Sequence, residues 1–205
     1  MYHAVQYRRF YGKIMASSKP LEDSDELLER AGAGMGLMHY PNVLLTGKVQ
    51  SPMLIGFRKP TIVLPYKLYG ENELVMILRH ELTHYKHHDL WYKLILLCAN
   101  ALHWFNPLVW IAFVLAGKDM EMSCDEAVIK RLGVDIRADY SASLLRLATH
   151  RKILSGMPLA FGEGDTKGRV LNMAKWKKPT KWVVAICVLL CLCVVIVCAF
   201  NPEEE

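Results

Sequence analysis

Polar and apolar positions change period several times along the chain. Residues 21–31, LEDSDELLERA, read as a short charged helix ended by the glycines of AGAGMG. The stretch that follows from Val43, VLLTGKVQSPMLIGFRKPTIVLP, interleaves β-formers with glycine and proline and is the convincing strand region. Pro52, Pro60 and Pro65 cannot donate to a ladder, which predicts a small sheet of edge strands, with Thr61 to Leu64 as an open edge.

From Glu71 the period becomes helical. Asn72 suits a cap, and Leu74, Ile77 and Leu78 form an apolar stripe leading into HELTHYKHHD. Leu94 to Ala116 is apolar again but is interrupted at Asn106-Pro107, where proline removes a helical hydrogen bond. That break predicts a hairpin of two short arms over about residues 91–117. Further helices are expected from about Lys118 to Leu132, ending at Gly133, and from about Tyr140 to Leu154. Residues 155–175, rich in glycine, read as a loop or lid.

From Trp182 to Phe200 there is no charge at all, over nearly the about 20 residues that a helix needs to cross a bilayer. This predicts a transmembrane helix over 182–200. Lys175, Lys177, Lys178 and Lys181 precede it and only NPEEE follows, so the positive-inside rule puts residues 1–181 in the cytoplasm and the tail, 201–205, outside. Charges interrupt the first thirty residues throughout, and no span is expected before residue 90. The expected fold class is α+β: a mainly helical domain over 1–175 with a small edge sheet, then the transmembrane helix.

Composition narrows the class further. The 205 residues are 53% hydrophobic, which excludes a disordered chain. The net charge is +5 although three of the twenty acids are the last three residues. Attraction to anionic lipid explains this excess, including Arg146, Arg151 and Lys152, and no direct nucleic-acid partner is expected. Cys187, Cys191, Cys193 and Cys198 lie in the apolar segment as packing residues, and Cys98 and Cys124 would face a reducing compartment, so no disulfide framework is expected.

The candidate chemistry is His80-Glu81-Leu82-Thr83-His84, an HExxH string. Histidines four apart stack on one face of a helix and can hold one zinc ion, while Glu81 between them can take a proton from an attacking water. A catalytic zinc wants a third protein ligand, and Glu121 in EMSCD is the best candidate, with Asp125 four residues on along the same face. Asp119 and Glu126 point away and read as solvated charge. His87 is a spare ligand or, more simply, a supporting or surface residue, and pairing His84 with His88 would put Tyr85 where a base is needed. His3, His39, His103 and His150 are isolated.

Shared ligation constrains the apolar stretch. If Leu94 to Ala116 spanned a bilayer, His84 and Glu121 would lie roughly 30 Å apart. A hairpin with arms of about 15 Å returns the chain to the same side, leaving Trp91, Trp104 and Trp110 at headgroup level. Tyr140 is the one oxyanion partner that can be named, and an extended substrate is expected to add as a strand at Thr61 to Leu64.

SPMLIGFRKPTIVLP, LRHELTHYKHHD, WFNPLVW and EMSCDEAVI, in this order, resemble the sequence blocks of integral membrane zinc peptidases typified by the β-lactam sensor-transducers of the BlaR/MecR type. The likeness runs from about Val43 to Phe200. The resemblance implies a gluzincin fold with Zn2+ held by His80, His84 and Glu121, Glu81 as general base and Asp125 orienting a ligand histidine. It also implies cleavage of a cytoplasmic transcriptional repressor, or of the enzyme itself, with a homodimer as an open alternative. Two departures stand out. The family's upstream membrane helices have no counterpart here, and NPEEE stands where sensor-transducers continue into an extracellular penicillin-binding domain, so a fragment or reduced form is expected and antibiotic sensing is not carried over. The rival from another class is a signalling or scaffold module that keeps zinc only for its fold.

Overall fold

A computed structural model describes residues 2–132, 137–149 and 166–175, together with positions 182, 186, 189 and 193. The chain divides into a unit from Met1 to Ala174 and a second from Lys175 to Glu205. In chain order the first holds α1 (Tyr2–Ser17), β1 (Lys19–Pro20), α2 (Ser24–Gly32), β2 (Asn42–Thr46), β3 (Met53–Ile55), β4 (Thr61–Pro65), α3 (Glu71–His87), α4 (Asp89–Leu102), α5 (Pro107–Leu132), α6 (Arg137–Thr149) and α7 (Thr166–Lys175). This is the α+β arrangement that the changing period implies.

The sheet has the order β1-β2-β4-β3, with β2 and β4 parallel and both outer pairs antiparallel. Ile62 stands opposite Val43 on one side and Leu54 on the other. Thr61 to Leu64 is therefore the buried centre of the sheet and not its open edge, a correction to the reading above. An unbroken apolar run is what a strand covered on both faces requires. The prolines remain at strand boundaries: Pro52 and Pro60 precede β3 and β4, and Pro65 ends β4.

Burial of Ile62 and Leu64 with Leu28, Ala31, Ile77, Leu78 and Leu82 fixes α2 and α3 against one face of the sheet. Arg79 reinforces this by donating from Nη1 to the carbonyl of Ala31 at 2.6 Å. The charged N-terminal stretch, in which no helix was anticipated, is α1. Its Phe10, Tyr11 and Ile14 recur at helical spacing and pack on Val49, Ile55 and Val63.

Pro107 begins a helix where the sequence suggested a broken arm. Asn106 accepts the Leu108 N–H through Oδ1 at 3.0 Å, the behaviour of an N-cap residue with proline in the first turn. The outer arm and the separate helix expected from Lys118 are one 26-residue helix, α5, about 39 Å long. It returns beside α4, so the hairpin exists with a long second arm. Its turn and flanks leave Leu102, Trp104, Phe105, Leu108 and Ile111 in contact with solvent, Trp104 71% exposed.

Two further expectations change. Residues 166–175 of the supposed lid are helical, and the helix expected from Tyr140 begins at Arg137, with residues 150–165 and the Gly133 stop outside the described residues. Among the described residues no helix is long and apolar enough to cross a membrane. The segment 182–200 and the tail 201–205 lie outside them except for Trp182, Ile186, Leu189 and Cys193, which are helical and exposed.

Gly56, after β3, has φ +89°, and a Cβ there would collide with the carbonyl oxygen of Lys59. Gly56→Ala is expected to destabilise the fold by roughly 1–3 kcal/mol, read from chemical denaturation followed by circular dichroism. An unchanged midpoint would show that this turn can relax.

Candidate metal centre

Helix α3 has two working faces. Ile77, Leu78 and Leu82 are directed to the sheet core, and His80 and His84, each two residues on from Leu78 and Leu82, face α5 instead. The Nε2 atoms of His80 and His84 are 3.1 Å apart. Glu121 on α5 brings Oε2 to 3.5 Å from His80 Nε2 and Oε1 to 3.5 Å from His84 Nε2. All three side chains are buried. Ligands at about 2.0–2.1 Å from a tetrahedral zinc lie roughly 3.3 Å from one another, and these separations, with one Glu121 oxygen facing each histidine, are of that order. The buried Oε1 of Glu121 has no hydrogen-bond partner among the described residues, which suits an oxygen reserved for a cation. The donor set therefore fits a metal ion on chemical and geometric grounds.

Each histidine is held from behind. His84 Nδ1–H donates to Asp89 Oδ2 at 2.6 Å. His80 Nδ1–H donates to the Tyr140 hydroxyl oxygen at 3.0 Å, and Tyr140 in turn donates to Asp125 Oδ1 at 2.7 Å. Asp125 Oδ1 also lies 3.3 Å from His80 Nδ1. These contacts direct both Nε2 atoms toward Glu121, the usual work of a carboxylate behind a metal-binding histidine. Glu81 is buried, lies outside the ligand triangle, and makes no hydrogen bond or ion pair among the described residues.

Tyr140 is thus not placed for an oxyanion. It is fully packed between Met76, Val128 and Met173 with its hydroxyl on the side of His80 away from Nε2, and this corrects the expectation for it. Burial and the Asp125 carboxylate raise its pKa well above the ordinary value, so it remains a donor.

Two residues were not anticipated. Asp89 reaches His84 because His88 adopts the left-handed conformation, φ 57°, and breaks α3 from α4 at that point. Arg169 on α7 donates from Nε and Nη2 to the two oxygens of Asp125, both at 2.7 Å, and brings Nη1 to 3.1 Å from Glu121 Oε2. A pairing of HELTHYKHHD with a carboxylate after the second histidine was available as a signal for Asp89; none in the sequence pointed to Arg169.

Charge organises the cluster. Burial lowers the His80 pKa, but hydrogen bonds donated to Asp125 and Glu121 outweigh it and hold the imidazole at about 9. Burial opposes ionisation of Glu121 and Asp125 as well. His84, His80 and Arg169 nevertheless keep Glu121 well below the carboxylate range, and Arg169 with His80 brings Asp125 to about 2.

The family profile described as BlaR1 peptidase M56 matches residues 1–173. The chain is 32% identical over 111 residues to the "Regulatory protein BlaR1" of Bacillus licheniformis, and 32% identical over 104 residues to the "Methicillin resistance mecR1 protein" of Staphylococcus aureus and of Staphylococcus epidermidis. The matches cover 53% of this chain in the first case and 49% in the others. They cover 18% of each relative, so the chain spans a small part of the length of those proteins.

A metal requires neutral His80, which in the metal-free site is protonated below about pH 9. Zinc uptake at pH 7.5 is accordingly expected to release about one proton from His80, with affinity rising roughly tenfold per pH unit toward pH 9. Calorimetry in buffers of different ionisation heat measures both. Affinity that stays flat between pH 7 and 9 would contradict this charge arrangement.

Proposed function

The chain belongs to the BlaR1 peptidase M56 family, and on that premise we propose that it is a membrane-associated zinc endopeptidase of a signalling system, cleaving a cytoplasmic protein such as a transcriptional repressor, or itself. Membership in a metallopeptidase family implies a bound metal. The observation that carries zinc and its ligands is the buried convergence of His80, His84 and Glu121, with the two Nε2 atoms 3.1 Å apart and each 3.5 Å from one Glu121 oxygen. Zinc, when bound, supplies Lewis acidity to the scissile carbonyl and the attacking water.

The chain's own residues do the rest. Glu81 takes the proton of the attacking water and passes it to the leaving amine. Asp89 and the Tyr140–Asp125 pair hold the Nδ1–H tautomers of His84 and His80, which keeps Nε2 available to the metal. The substrate enters as an extended strand along β3, Met53–Ile55, the outer strand on the β4 side of the sheet. Pairing there would hold its carbonyl groups in regular succession beside α3.

The exposed apolar hairpin supports membrane association. From Leu94 to Gly117 the chain carries no Asp, Glu, Lys or Arg, and its turn presents Trp104 and Phe105 to solvent. Neither arm of that uncharged stretch is long enough to cross a bilayer, so the hairpin lies at the headgroup level with its tip among the acyl chains. The uncharged 182–200 segment provides the spanning anchor and leaves the peptidase unit on the cytoplasmic side.

Glu81→Gln is expected to retain zinc and to lower proteolysis by about 10²–10⁴-fold. Metal analysis of the purified variant alongside the cleavage pattern of the chain and its substrate in cells measures both. Undiminished signalling by a zinc-loaded Glu81→Gln protein would favour a scaffold that uses the metal for its fold. For the hairpin, a variant retaining Trp104 as its sole tryptophan should be quenched by bromine-labelled lipids in vesicles; fluorescence indifferent to the label would remove the interfacial placement.

A further inference from the structure

The guanidinium of Arg169 is 4% exposed and lies beside the ligand triangle, not at the surface. Its fork engages both oxygens of Asp125, the geometry that makes arginine–carboxylate pairs directional as well as strong. Its remaining terminal nitrogen, Nη1, faces Glu121 Oε2 at 3.1 Å, and Nη2 lies 3.5 Å from His80 Nε2. The two oxygens of Glu121 are consequently unlike. Oε2 is claimed by Arg169, whereas Oε1, near Lys93 Nζ at 3.8 Å, makes no hydrogen bond among the described residues.

We propose that Arg169 is a positioning residue of the metal centre: it pins Glu121 through Oε2 and fixes Asp125 behind His80, making zinc retention depend on docking of α7. The inference rests on the zinc-peptidase reading. Arg169 acts through the carboxylates and touches no reacting atom. Lysine could supply the charge but not the fork, because an ammonium is a point charge whereas the guanidinium presents its donors in a fixed plane. Helix α7 thereby becomes part of the site although it contributes no ligand. It is also the helix that precedes the uncharged 182–200 segment in sequence.

The test uses the full chain in detergent, loaded with zinc and, separately, with cobalt. The rate of zinc transfer to a chromogenic chelator should increase about 10–100-fold in Arg169→Ala, the range seen when partners of metal ligands are removed. Arg169→Lys should fall between that and the wild type. Cobalt absorption should weaken in both variants as Glu121 loses its fixed orientation beside the two histidines. A folded Arg169→Ala protein with wild-type release and wild-type cobalt bands overturns the proposal. If Arg169→Ala does not fold, Arg169→Lys decides: wild-type release and bands overturn the proposal, and faster release with weakened bands supports it. A wild-type chain that takes up neither ion overturns the zinc-peptidase reading along with it, whereas ion uptake unaffected by Arg169 overturns the role of Arg169 alone.

Discussion

The carboxylate of Asp125 gathers the helices that form the candidate metal centre. It is fully buried on α5, receives Tyr140 from α6 and Arg169 from α7, and stands beside His80 on α3. A buried charge of this kind is costly unless its partners are excellent, and even a good buried ion pair contributes little net stability compared with well-packed apolar residues. Removing one member is a different matter, because the orphaned charge then stays buried at a cost of about 3–5 kcal/mol. The network is accordingly explained by what it fixes. It sets the direction of His80 and ties α3, α6 and α7 to α5 beside the apolar cluster of Met76, Val128, Ile129 and Met173.

The second constraint is the shape of the chain between the ligands. His84 is near the end of α3 and Glu121 is in the middle of α5, and everything between them is the hairpin. The left-handed residue His88 ends α3 and starts α4, and the same break turns Asp89 back to His84. One local backbone feature thus directs an apolar arm outward and supplies a histidine with its carboxylate. A non-glycine residue with positive φ is uncommon and persists where the surrounding structure holds it, here the 2.6 Å bond between Asp89 and His84.

What could be read from the sequence was what depends on short-range spacing. His80 and His84 share a face because a helix repeats every 3.6 residues, and Glu121 and Asp125 share one for the same reason. The hairpin followed from requiring those two helices to meet. Features set by tertiary packing were harder. The central position of β4 depends on pairing with β2 across an intervening strand, and α1 is specified by a modest stripe of Phe10, Tyr11 and Ile14 among charges. Helix α7 lies in a glycine-rich segment whose local propensity argues against a helix; Met173 and Arg169, buried against Tyr140 and Asp125, override it. Asp89 was visible as a residue but five positions from His84, a spacing that faces away on an unbroken helix.

Two metal-capable groups share His84, and their geometry decides between them. His84, Asp89 and Cys124 converge as closely as His80, His84 and Glu121 do. In the former, however, the nitrogen concerned is Nδ1, whose proton is already given to Asp89 at 2.6 Å, with Cys124 Sγ 3.3 Å away. A cysteine binds metal as the thiolate. Burial, reinforced by Asp89, Glu121, Glu81 and Asp125, raises the Cys124 pKa far above its ordinary value and keeps the thiol protonated. The carboxylates that would welcome a cation at Nε2 are the ones that prevent a thiolate behind Nδ1. An ion on the Nε2 side leaves every one of these contacts intact, whereas an ion on the Nδ1 side must break the Asp89 bond and deprotonate a buried thiol among four carboxylates. The Asp89 contact therefore reads as the support of His84, and of the two groups His80, His84 and Glu121 is the better suited to a cation.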